Sequence, residues 1–210
     1  VTSPLYTGNR SPELVMMAGI VGVPWEDLTE DAHTLVTGYF PASQIDWTLI
    51  AGDPTTGTPP GDPLMVESIA PRTGTNPPTG DALEPPSAGL LANPINGHER
   101  TIPDTDDLQY ACVFPRPLPG TCTGPSCACV PPNVQTNPIC QAPDGSYGTT
   151  LYYTRALPGL RELAVLEGLG DRATVASLCA GVVTGSDDPI YAYKPAADAI
   201  LRTLRPRLPQ

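Results

Sequence analysis

Three carboxylates within four residues, Asp104, Asp106 and Asp107, are the densest set of hard oxygen donors in this 210-residue chain. A calcium or magnesium ion would accept such a cluster if backbone carbonyls completed its shell. The same pattern, acidic residues and Thr105 ahead of the apolar run at Leu108, also suits helix capping, and that reading outweighs the metal one. A second acidic run, Glu26, Asp27, Glu30 and Asp31, follows Pro24 and reads as a solvated helix start rather than an acid/base pair.

Thiols are the next chemistry available. Cys112, Cys122, Cys127, Cys129, Cys140 and Cys179 form an even set, five of them inside a Pro- and Gly-rich stretch. Four thiolates from Cys122 to Cys140 could surround zinc, but the spacing fits no common zinc knuckle, so disulfides and an oxidising compartment are expected. Cys127 and Cys129 lie too close to be joined without strain, and a link from Cys112 to Cys179 is the proposed tether of the irregular region to the core. Nucleophilic catalysis finds little support. Gly124-Pro-Ser126-Cys-Ala128 lacks the strand and helix that a nucleophile elbow needs, and Asp144-Gly-Ser146 reads as a turn. The only histidines, His33 and His98, read as solvated or capping residues.

The elements that must position these residues are unevenly distributed. Residues 52–150 hold 19 of the 28 prolines and 11 of the 20 glycines, so this stretch reads as a long, loop-rich insertion pinned by disulfides, with disorder of 52–107 as the alternative. Residues 1–51 and 151–210 read as an α/β core. Leu14–Val23 is a continuous apolar run expected to be a strand buried on both faces. Asp46–Ala51 is expected to be an accessory strand anchored by Trp47. Leu160, Leu163, Leu166 and Leu169 have helical spacing, Ala173–Cys179 reads as a second core strand, and Tyr193–Leu204 as a final helix. A strand, a helix and a parallel strand make a right-handed βαβ unit.

The segments SPELVMMAGIVGVPW, LPGLRELAVLEGLGDRATVASLCA and YKPAADAILRTL resemble the closing part of bacterial secreted proteins with a von Willebrand factor type A-like domain. DPLMVESIAPRTGTNP, NPINGHE and DDLQYACVF resemble the insertion found in a group of its members. The resemblance implies an incomplete Rossmann-like parallel sheet whose last two strands lie here. The family's metal-ion-dependent adhesion site uses Asp-x-Ser-x-Ser, which this sequence does not contain. With no initiator Met and no leader, the chain is expected to be processed or to continue upstream.

Charge narrows the partners. Twenty-two acidic against eleven basic residues give a net charge of −11, which repels nucleic acid and anionic lipid. No apolar run is long enough for a membrane span. The expected function is therefore a secreted or cell-envelope, non-catalytic adhesion-type module recognising protein or cell-surface glycan, at loops beyond the carboxyl ends of its strands. The alternatives are part of an extracellular metal-dependent hydrolase and a structural envelope protein.

Overall fold

A computed structural model describes residues 15–85, 92–102, 107–121, 123–124, 127–131 and 133–208. Its centre is a two-stranded parallel sheet in which β1 (Met17–Val21) pairs with β4 (Ala173–Ser177), in register from Met17 opposite Ala173 to Val21 opposite Ser177. The chain returns to this sheet through α2 (Leu160–Glu167), whose Leu163 and Leu166 are buried as the leucine spacing requires. Gly168 follows and ends the helix. After β4 comes α3 (Lys194–Leu204), with Pro195 in its first turn and Ala196 and Ala199 facing inward. Both helices and β4 lie where the sequence pattern places them.

The first strand differs from expectation. β4 is buried along its whole length, whereas its partner β1 is largely open to solvent, with Met17 and Ile20 exposed and only Val21 buried. Its continuous apolar character therefore reports no second covered face. α2 lies tightly on one side: a Cβ at Gly19 would sit 2.5 Å from Leu166 Cδ1. α3 packs instead on β4, where Thr174 Oγ1 donates to Thr203 Oγ1 at 2.9 Å.

Asp46–Ala51 is not a strand. Asp46 accepts from Leu49 N at 3.0 Å and caps a single helical turn, α1 (Trp47–Ile50), whose Ile50 is the buried anchor while Trp47 is half-buried. The local carboxylate cap prevails over the apolar composition.

The Pro/Gly-rich region is packed rather than unstructured over 52–85 and 92–102. Leu64, Met65 and Ile95 enter the same core as Val23, Leu28, Ile50 and Val175. Among the described residues this region adds no strand to the parallel sheet. It supplies β2 (Cys112–Thr121), which pairs antiparallel with β3 (Thr150–Ala156) in a separate sheet. The ladder becomes irregular between Pro115 and Gly120, where Pro115, Pro117 and Pro119 have no N–H to donate. A smaller core of Tyr110, Val113, Ile139 and Cys129–Cys140 fills the space beside this sheet. The result is a mixed α/β chain with one small parallel sheet. No helix among the described residues is long and apolar enough to cross a membrane.

Candidate functional site

Of the three carboxylates singled out for a cation, Asp104 and Asp106 lie outside the described residues. Asp107 is engaged by neighbours. Its Oδ2 accepts from Arg100 Nη2 and from the Tyr110 hydroxyl at 3.2 Å, its Oδ1 accepts from Leu108 N at 3.0 Å, and Arg155 Nε stands 3.7 Å away. Arg100 and Arg155 also lie over the Tyr110 ring, at 5.0 and 5.3 Å from its centre. Burial dominates the Tyr110 phenol and pushes its pKa up to about 12. Among the described residues no group of three or more His, Cys, Asp or Glu side chains is arranged to hold a metal ion.

The cysteines form disulfides. Cys112 joins Cys179 with a 2.00 Å bond across 67 positions, tethering β2 to the end of β4, and Cys129 joins Cys140 at 2.03 Å. Cys127 is also disulfide-bonded. Cys122 and Ser126 lie outside the described residues.

The two histidines diverge. His33 is exposed in a turn, its backbone N–H bonded to Asp31 Oδ1, and not on a helix. His98 is buried, against the solvated placement expected of it, with Nε2 3.2 Å from the Thr136 carbonyl and 3.4 Å from the Tyr147 hydroxyl. Asp144 does make the expected turn, its Oδ1 accepting from both Ser146 N at 2.9 Å and Ser146 Oγ at 2.6 Å.

The arrangement that sequence reasoning missed lies beyond the carboxyl end of β1. Residues Trp25–Leu28 form a short 3-10 turn after Pro24, and this turn carries Glu26 and Asp27 into the interior rather than onto a solvated face. There Asn76, fully buried, donates from Nδ2 to Asp27 Oδ1 at 2.9 Å and to Asp62 Oδ2 at 3.1 Å. Asp62, also fully buried, accepts from Leu64 N at 3.0 Å. Glu26 Oε2 and Asp27 Oδ2 have no hydrogen-bond partner as ionised oxygens. A proton resolves this conflict, because the carboxyl of Asp27 can then donate to that of Asp62. Desolvation, reinforced by the neighbouring carboxylates, holds Asp27 well above the ordinary range and pushes Glu26 up to about 8, while burial alone raises Asp62 against the lowering effect of its hydrogen bonds, the one from Asp27 first. No local pattern exposes this cluster, since Asp62 and Asn76 are brought to the turn only by the fold.

Comparison with known families, curated proteins and solved structures finds no match to this chain. What the site can do rests on its own geometry.

A second buried network explains why the loops around this cluster are fixed. Arg72 Nη2 meets Glu99 Oε1 at 2.7 Å, its Nε lies 3.0 Å from Oε2, and its backbone N–H donates to the same Oε2 at 2.7 Å. The remaining guanidinium donors reach the carbonyls of Leu64 and Tyr110, both at 2.7 Å, and Asn96 Nδ2 donates to Glu99 Oε1 at 2.7 Å. Every charge here is paired and hydrogen-bonded, as burial demands. The end of β4 is closed in the same way. Ser177 Oγ donates to the Val23 carbonyl and accepts from Cys179 N at 3.0 Å, and burial raises the phenol of Tyr39. A carboxyl pair sharing a proton can in general serve acid–base chemistry. Here Glu26, Asp27, Asp62 and Asn76 line none of the grooves at Phe40–Ser43, Leu35–Gly38, Ile20–Gly22, Pro54–Pro60 and Leu151–Arg155.

Proposed function

We propose that this chain is a non-catalytic, extracellular binding module that recognises protein or cell-surface glycan, built on a von Willebrand A-like α/β layer. The observation that carries this reading is the inward placement of its ionisable clusters. Arg72 and Glu99 tie residues 64–66, 72, 96–99 and 110 together, and the carboxyl cluster joins the turn at Glu26 and Asp27 to residues 62 and 76. Side chains used in this way hold a loop-rich surface rigid. A preorganised surface loses less entropy when it meets a ligand, which favours recognition. The disulfides fit an extracellular setting.

The test is to probe defined arrays of extracellular proteins and of cell-surface polysaccharides with the intact, disulfide-bonded chain. Saturable binding that leaves the ligand chemically unchanged is expected. Turnover of an array member by the purified chain, followed by mass spectrometry, would overturn the reading, and so would the absence of binding on both arrays.

A further inference from the structure

In a chain with a net charge of −11, three of the ten arginines, Arg202, Arg205 and Arg207, fall within six residues at the end of α3. None of them belongs to an ion pair among the described residues. Helix carbonyls attract basic side chains at this position, and Arg207 Nη1 does donate to Thr203 O at 2.7 Å. The arrangement goes further than that. Arg207 Nη2 crosses to the Asp171 carbonyl at 2.9 Å, and Arg202 Nη2 crosses to the Tyr39 carbonyl at 2.8 Å. Two guanidinium groups are thus held by neutral acceptors from other segments, which fixes their position without cancelling their charge. Gly38, at φ +74°, admits Arg202 to this position, since a Cβ there would lie 3.2 Å from Nη2.

Both arginines line one groove of about 410 Å³ at the amino end of β4, with Phe40, Ser43, Thr174 and Thr203 among its other walls. Arg202 also lines the neighbouring groove of about 340 Å³, together with Arg205. Asp171 and Asp198 stand in the walls of these grooves and are exposed, and neither pairs with an arginine. A groove of this size suits a small ligand. The exposed Ser43 hydroxyl matches a sugar hydroxyl, Phe40 offers an apolar wall, and arginine forks match planar carboxylate or sulfate groups, while the hydroxyls of Thr174 and Thr203 are bonded to Thr203 and Ala199.

We propose that this groove binds an anionic saccharide, one bearing carboxylate or sulfate groups, with Arg202 and Arg207 as its anion-binding residues. The inference rests on the binding-module reading and names its ligand class. It also moves the binding surface from the carboxyl ends of the strands, which are closed by the Cys112–Cys179 link and the buried carboxyls, to the opposite end of the sheet.

The experiment is calorimetry of the full chain with three oligosaccharides of equal length, one a uronate, one sulfated and one neutral, and with inorganic sulfate, each at low and at moderate salt. Binding of the uronate or the sulfated sugar, weakened by salt, is expected, and preference between those two identifies the acid group recognised. Arg202→Gln should weaken it at least tenfold. Because Arg202→Gln also removes the tie to the Tyr39 carbonyl, as Arg207→Gln does the tie to residue 171, Ser43→Glu serves as the second variant: it adds a carboxylate to an exposed wall and should abolish binding with an unchanged thermal midpoint. Equal affinity for the neutral sugar, affinity for free sulfate matching the sulfated sugar, or acidic-sugar binding indifferent to both variants overturns the inference. Binding of an array protein that is indifferent to these variants, with no saccharide bound, also overturns it and leaves the broader reading standing. No ligand of either kind overturns both.

Discussion

Glu26, Asp27 and Asp62 carry their carboxyls in the interior, so their protons are coupled to folding. An unfolded chain releases these protons near pH 4, while the folded chain keeps the one on Glu26 to about 8 and holds Asp27 well above its ordinary range. Between those limits the native state binds more protons, and stability therefore falls as pH rises from about 4 to 8 before levelling. The groups facing this cluster set the window: Asp81 adds repulsion, Arg72 pulls Asp62 down, and Asn76 donates to both aspartates. Glu26→Gln removes one titration. The variant should be more stable than the parent at pH 8, by roughly 4 kcal/mol, and flatter between pH 5 and 8. Urea midpoints across that range test it, and parallel curves for the two proteins would refute the assignment. The sequence announced acidic residues at 26 and 27 but not their burial. That depends on Asp62 and Asn76, far along the chain, offering a site that water would otherwise occupy.

Elements of short range were legible where one periodicity decided them. In α2 the leucines repeat on one face, and in α3 the alanines do so after an initial proline, so local geometry and burial agree. α1 was misread as a strand because its apolar residues were weighed above Asp46, whose side chain caps the turn. The apolar run of β1 does not by itself record whether other elements cover its faces, and here most of it stays exposed. Its junction with α2 has a close approach that yields a second expectation. Gly159 N donates to Gly22 O at 2.9 Å, and a Cβ at Gly22 would lie 1.7 Å from the Leu157 carbonyl oxygen, part of the rigid backbone. The neighbouring clash at Gly19 involves only the flexible end of Leu166. Gly22→Ala should therefore destabilise by about 3 kcal/mol or more, and Gly19→Ala by about 1 to 2 kcal/mol. Denaturation midpoints of the two variants compare them directly; equal losses would mean that the backbone approach does not matter.

At the scale of the whole molecule, the Cys112–Cys179 and Cys129–Cys140 disulfides close loops of very different length. Chain entropy assigns about 4 kcal/mol to the link across 67 positions and about 3 kcal/mol to the link across 11. Replacing Cys112 and Cys179 by serine should thus cost more than replacing Cys129 and Cys140. It should also loosen β2 from the end of β4, read as faster amide exchange in both strands. If exchange accelerates only near residues 129–140, the long link is not the tether. Composition alone indicated that a Pro/Gly-rich middle region needs pins, and cysteine count indicated which kind. The equally important pins, Arg72 with Glu99 and the shared-proton carboxyls, could not be read because ionic residues in a loop look the same whether they face water or each other.

The sequence by itself determined the helices α2 and α3, the strand β4, the parallel return between two strands, the turn at Asp144 and the chemistry of the cysteines. Each depends on spacing or residue type within a few positions. Only the tertiary structure decided that β1 is left largely exposed while β4 is buried, that Glu26, Asp27 and His98 are buried, and that Arg202 and Arg207 converge on one groove while other segments hold them in place. Those outcomes require residues tens to more than a hundred positions apart to compete with water for the same partners, and no local pattern records which of them wins.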